Sequence, residues 1–311
     1  MRDSSPPDAA GERLCSTIMS TPTPFVRLAL VSLLFTACSS VGLRGAGYMT
    51  YDTKSGRSVE LGSLCDELAR HDVVFLGEEH DNDVGHRLQL WTLTRLFELR
   101  PGLVLSMEQF EADVQELLDR YLAGKIGEEE FLATSRPWGN YAEHYRPMVE
   151  FARRHGIPVI AANIPRPLAR RVAYGGLERI GGENFGPWDA WTDEPEYLDL
   201  FAEAMGRHGQ ENRDEGLERW FAAQCSKDEK MAESIAAVFD RENGERPLVV
   251  HLCGKFHSDK HLGSVSRLAR HKPELSLAVV SMNSDKRIRR ALSADELSRG
   301  DFVWLVRPQP D

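Results

Sequence analysis

Long apolar runs are nearly absent from this chain of 311 residues. The one sustained run, Leu28-Ala29-Leu30-Val31-Ser32-Leu33-Leu34-Phe35, would reach about half of a bilayer core as a helix, too short for a span but suited to the apolar part of a signal peptide. Nothing later in the sequence is long and apolar enough to cross a membrane as a helix. Cysteine is scarce too: after residue 38 only Cys65, Cys225 and Cys253 remain, an odd number without Cys-x-x-Cys spacing. That excludes a disulfide framework or a zinc knuckle. There is no basic block, and the net charge of −10 is spread along the chain. A phosphate backbone would find no electrostatic footprint, so nucleic acid is excluded as the expected partner. Repeats of solenoid length are also missing. What is present, 41% apolar residues, suffices for an ordinary globular core.

The apolar run ends in Thr36-Ala37-Cys38. Small residues directly before a cysteine resemble the bacterial lipobox, with Phe35 standing where Leu is usual. The expected organisation is a signal peptide over 1–37, an acylated Cys38 opening a short tether over 38–47, and a folded domain over 48–311. Met19 offers a second start, which would make 1–18 an extension. Cys38 is the expected lipidation site and the membrane the expected partner through it. Several acyl chains, at about 0.8 kcal/mol per buried methylene, anchor a domain without any protein span. Ser39 resembles the outer-membrane sorting class, so the expected location is the bacterial outer membrane.

Beyond the tether, short β-rich runs alternate with helical patterns. Strands are expected at 73–76, 103–107, 157–161, 248–252, 277–280 and 302–306, each a nearly continuous apolar run, as in strands buried on both faces. Helical patterns lie at 84–99, 111–122, 128–134, 142–155, 166–173, 196–206, 213–241 and 258–271. The alternation predicts an α/β fold: a mostly parallel sheet with helices on both faces. The Gly- and Trp-containing stretch 174–195 breaks the alternation and leads into a helical insertion, together spanning about 174–241.

Polar residues cluster where strands end: Gly77-Glu78-Glu79-His80-Asp81, Glu108-Gln109-Phe110, Asn163-Ile164-Pro165-Arg166 and Gly254-Lys255-Phe256-His257. In an open parallel sheet those ends share one edge, where ligands bind. His80, His257 and Glu108 form a candidate set for Zn²⁺, Fe²⁺ or Mn²⁺, with Glu79, Gln89, Asn163 and Arg166 as supporting partners. If the site is catalytic, Glu78 or Glu108 is the candidate general base on a metal-bound water. His86 and Gln89, one turn further on, are either partners of His80 or a solvated face. Tyr141, His144 and Tyr145 share one region of a helix, with Trp138 and Met148 near enough to cover a porphyrin. The alternative is an amphipathic helix packing its aromatic residues on the sheet.

These segments, with Tyr145-Arg146-Pro147, Ala161-Ala162-Asn163 and Ala223-Gln224 followed by Asp228 and Met231-Ala232, resemble the ChaN family of haem-binding lipoproteins. That family sits in a superfamily with Tiki proteases, TraB-like proteins and erythromycin esterases. The resemblance covers the chain from about Val73 onward. It implies haem as ligand, an iron acquisition or storage role at the envelope, a haem receptor or transporter as partner, and a homodimer enclosing a face-to-face haem pair. Tyrosine ligation is implied with it, which puts Tyr145 and Tyr141 forward as iron ligands with His144 and His86 nearby. The Tiki-like relatives imply the alternative, a metal-dependent hydrolase acting on a peptide or ester through His80, His257 and a glutamate.

Overall fold

Eight strands form a single sheet in the computed structural model, which describes residues 47–184, 186–187, 190–206, 214–240 and 246–308. Cys38 and the segments expected as signal peptide and most of the tether lie outside the described residues. The chain opens with a hairpin, β1 (Tyr48–Asp52) and β2 (Arg57–Val59), followed by helix α1 (Leu61–Leu68). Then comes β3 (Val73–Glu78), α2 (Asp83–Leu99), β4 (Val104–Glu111), α3 (Gln115–Leu122) and α4 (Glu128–Ser135). A π-helical turn (Tyr141–Tyr145) runs into α5 (Arg146–His155), and β5 (Val159–Asn163) is followed by α6 (Arg166–Gly175). The helical insertion contributes α7 (Pro195–Ala204) and α8 (Glu215–Phe239). Strand β6 (Val249–Gly254), α9 (Ser264–His271), β7 (Leu277–Ser284), the short α10 (Ala294–Leu297) and β8 (Phe302–Val306) complete the order.

The strand order is β2-β1-β8-β7-β3-β6-β4-β5. The six strands from β8 to β5 run parallel, and the β1-β2 hairpin adds antiparallel to β8. Alternation along β3 shows why both faces are covered. Val74 and Leu76 pack with Leu88 of α2 and Met148 of α5, while Val73 and Phe75 pack with Ile235 of α8 and Leu268 of α9. A strand apolar on both faces has no solvent side, so its polar residues collect at its end. Every residue of β3 is buried, Glu78 included.

The chain departs from the expected boundaries where polar strands and caps override periodicity. The hairpin before residue 60 was not expected, because its strands are short and β2, at the sheet edge, has two exposed polar residues of three. Strand β4 continues through Glu111, so the helix expected from 111 starts at Gln115 after a 3₁₀ turn. The helix expected over 258–271 is a 3₁₀ turn (Asp259–His261) followed by α9; Lys260 and His261 adopt positive φ there, which breaks a continuous helix. Helix α2 is capped by Asn82, whose side chain accepts from the Gly85 N–H at 2.9 Å.

Candidate functional site

The order β3-β6-β4 in the middle of the sheet makes neighbours of three strand ends that are far apart in sequence. Glu78 at the end of β3, Glu108 just past the part of β4 paired with β6, and the turn carrying His257 after β6 meet at this carboxyl edge. Two glycines allow the close approach. A Cβ on Gly254 would lie 2.8 Å from His80 Cε1, and one on Gly77 would lie 2.9 Å from the Lys255 Cα. At Gly77 the obstacle is backbone, which cannot swing aside.

Glu78 is the hub of the first half of the site. Its Oε1 accepts from the Tyr145 hydroxyl at 2.6 Å and from Gln109 Nε2 at 3.1 Å, and lies 3.0 Å from His80 Nδ1. Its Oε2 accepts from Gln89 Nε2 at 2.7 Å. Burying a bare carboxylate costs several kcal/mol, on the order of what a full set of charge-assisted hydrogen bonds restores. Burial alone would push the Glu78 carboxyl up, but the His80 hydrogen bond, His86, Tyr145 and Gln89 together bring it below its ordinary value. His86 is buried and locked in turn: Nδ1 meets Gln89 Oε1 and Nε2 meets the His80 carbonyl, each at 2.9 Å.

The second half is a chain of acid, imidazole and acid. Glu108 Oε2 accepts from the Gly254 N–H at 2.7 Å, and its Oε1 lies 3.2 Å from His257 Nε2. On the other side His257 Nδ1 is 2.7 Å from Asp228 Oδ1, and Asp228 also accepts from the Tyr197 hydroxyl at 2.8 Å and from Ser264 Oγ at 2.9 Å. Burial disfavours the charged ring, but the Glu108 and Asp228 carboxylates outweigh it and raise His257 to about 10. Glu108 falls well below the usual carboxylate range: burial opposes this, while the His257 and His80 charges and the Gly254 N–H drive it. The His257 ring is therefore an imidazolium clamped between two carboxylates, with both nitrogens committed.

His80 differs. Its side chain is 43% exposed, Nδ1 is held by Glu78, and among the described residues Nε2 has no hydrogen-bond partner. Burial works against its charge, yet Glu78 and Glu108 raise its pKa. The Trp138 ring stands edge-on to it at 4.9 Å. An imidazole steadied through Nδ1 and open at Nε2 can ligate a metal centre or exchange a proton. His80, Glu108, Asn163, Arg166 and His257 line one cleft of about 410 Å³, a size that accommodates a cofactor-sized ligand.

The expected site residues thus divide into two groups. Those five meet in the cleft, and Asn163 Nδ2 donates to the Glu108 carbonyl at 3.1 Å. Arg166 is tied to Glu111 at 3.2 Å, and Glu79 to Lys255 at 2.7 Å. Tyr145, Tyr141, His86 and His144, by contrast, are not presented to the cleft. The Tyr145 and Tyr141 side chains are buried, their pKa values pushed far up, chiefly by burial. His144 stacks on His86 and its Nε2 contacts Asp83 at 2.8 Å. The three expected metal ligands converge, but among the described residues no cluster of three or more His, Cys, Asp or Glu is arranged to hold a metal ion. Sequence reasoning missed the roles of Glu111, Gln224, Lys227 and Asp228, all at or behind the cleft. Gln224 and Asp228 stood among the segments that carry the family resemblance, without a role; four apart, they share one face of α8.

Comparison with known proteins identifies the family. A family model described as haem-binding uptake, Tiki superfamily, ChaN matches residues 64–268. The chain belongs to this family. Among solved structures, ChaN of Campylobacter jejuni, described as binding haem cofacially, superposes with a TM-score of 0.64 at 17% identity, covering 84% of this chain and 98% of that one. At that identity the likeness shows a shared ChaN fold. The type III effector HopBA1 (TM-score 0.45, 14% identity, 80% of this chain and 94% of that one) is more distant. So is the erythromycin esterase EreC (TM-score 0.43, 12% identity, 76% of each chain). No curated protein matches the sequence. The ChaN match runs from α1 into α9 and so contains every cleft residue named above.

Proposed function

We propose that this chain binds haem at the carboxyl-edge cleft, with His80 Nε2 offered to the iron, on a domain lipid-anchored through Cys38 at a bacterial outer membrane. One observation carries the choice of residue. Within a chain of the haem-binding ChaN family, His80 is the cleft imidazole that is exposed, braced by a carboxylate at Nδ1 and unpartnered at Nε2. Imidazole with a hydrogen-bonded second nitrogen is a common axial ligand type, and the carboxylate partner raises its basicity. Trp138 supplies an apolar wall beside it, and Arg166 and Lys227 at the cleft suit the acid side chains of a porphyrin. Bound haem would supply the iron chemistry, and the chain would hold it through the His80 imidazole, kept in place by Glu78. Iron acquisition or storage, a haem receptor or transporter as partner, and a homodimer belong to the same reading.

Haemin titrated into the protein, followed at the Soret band, tests this. Saturable binding that His80→Ala weakens at least tenfold, and that Tyr141→Phe leaves unchanged, is the expected result. Absence of saturable binding, or binding indifferent to His80→Ala and lost in Tyr145→Phe, would contradict the assignment. For the anchor, membrane fractionation after a wash in about 1 M salt, where charge interactions are screened beyond about 3 Å, is expected to depend on Cys38. A Cys38→Ser chain that still pellets after that wash would count against lipidation. Metal-dependent hydrolysis has less support: the imidazole and carboxylate of His257 and Glu108 are paired with each other instead of being directed at a common point.

A further inference from the structure

Away from the His80 cleft, the outer end of the same sheet edge carries a second concavity of about 590 Å³. It is formed where β1 begins opposite the end of β8, beside the loop that follows β7. Lys286, Arg287, Arg289 and Arg307 line it, against the single carboxylate of Glu60. In a chain of net charge −10 this is a local reversal of sign. The cations are also unspent. All four are exposed, and among the described residues Lys286, Arg289 and Arg307 have no acidic partner. Arg287 approaches Asp285 only at 3.9 Å with its side chain 82% exposed, while Asp285 is held by Arg290 at 2.8 Å. A protein that needed these charges for folding would have paired them.

The position of the concavity says what it faces. Gly47, the first described residue, is part of its lining, and the Gly47 carbonyl accepts from the Arg307 N–H at 2.8 Å. Gly47 follows Cys38 by nine positions, a reach of at most about 30 Å for extended chain. We propose that this basic concavity is a docking surface for the phosphate head groups of an anionic bilayer, holding the carboxyl edge of the sheet toward the membrane beside the anchor. Guanidinium groups suit phosphate through paired N–H donors, and three or four cations at an anionic surface strengthen attachment roughly fivefold each. The inference rests on the lipid-anchored reading for delivery to the bilayer and stands apart from haem binding.

The test uses the full chain carrying Cys38→Ser, so that acyl insertion contributes nothing. Vesicles of phosphatidylcholine alone are compared with vesicles in which one lipid in three is phosphatidylglycerol, at about 0.1 M salt, where the screening length is about 10 Å. Expected is at least roughly tenfold tighter binding to the anionic vesicles, lost when Lys286, Arg289 and Arg307 are all changed to Glu. The same charge change placed elsewhere, at Arg70, Arg120 and Arg219, is expected to preserve most of the preference. Equal binding to both vesicles, full retention in the cleft variant, or equal loss in the remote variant would overturn the proposal. So would displacement by millimolar inorganic phosphate, which would mark a site for a soluble anion. Thermal unfolding of both triple variants shows that they fold, and the salt-washed fractionation of the unmutated chain reports separately on the anchor.

Discussion

Glu78 shows how one side chain fixes a site. Four neighbours donate to or face its carboxylate, and two of them, Gln89 and Gln109, are buried amides with few other partners. Glu78→Gln keeps the shape but replaces one accepting oxygen by a donor. Loss of charge-assisted bonds and an unsatisfied buried donor are expected to cost about 2 kcal/mol, read as a lowered denaturation midpoint. His80 would lose its brace, so haemin affinity is expected to fall with it. The histidines set the pH response. His257 is raised from 6.5 to about 10, so its contribution to stability is complete below pH 6.5 and is lost as the pH climbs toward 10. His80 acts in the same direction. His251, buried and 2.9 Å from Ser106 Oγ, is depressed from 6.5 to about 4, chiefly by burial; its contribution is complete above 6.5 and is lost as the pH falls. Stability is therefore expected to peak near pH 6.5 and to decline on both sides. Urea midpoints measured across pH check this: His257→Gln should flatten the alkaline limb and His251→Gln the acid limb, and a flat wild-type profile would contradict both assignments.

At the scale of elements, the strand ends carry the argument. A Cβ at Gly77 would meet the Lys255 backbone as well as Ser258 Oγ, whereas one at Gly254 would meet the His80 ring, which can move. Gly77→Ala is accordingly expected to lower the thermal midpoint by more than Gly254→Ala, while Gly254→Ala displaces His80 and weakens haemin binding with a smaller loss of stability. Equal effects on stability would show that the approach is looser than described. The parallel strands were legible because β3, β4, β6 and β7 bury both faces and so read as apolar runs. The β1-β2 hairpin was not, because Arg57 and Ser58 of β2 are exposed and leave no apolar signature. The Tyr141–Tyr145 turn illustrates an ambiguity that spacing cannot resolve. Its aromatic residues were readable either as ligands or as packing, and Tyr145 turns out to be a buried donor to Glu78. Which way a helix face points depends on the sheet beneath it, which local sequence does not encode.

For the whole molecule, the decisive fact is strand order. Glu78 and Gly254 end β3 and β6, and Glu108 stands just past the part of β4 that pairs with β6; only the placement of β6 between β3 and β4 makes the three adjacent. The sequence displays polar clusters at strand ends, which sufficed to expect that His80, Glu108, Asn163, Arg166 and His257 meet. It does not display pairing. That His257 is committed to Glu108 and Asp228, leaving His80 as the open ring, follows from three-dimensional neighbours contributed by α8. The same edge that carries this cleft carries the basic concavity at its outer end, so the proposed haem site and the proposed docking surface share one side of the sheet. The most direct test of the account is a structure of the haemin complex. Iron within bonding distance of His80 Nε2, with the porphyrin edge near Arg166 or Lys227, is the expected result. Iron bound elsewhere, with the His80 ring still open to solvent, would contradict it.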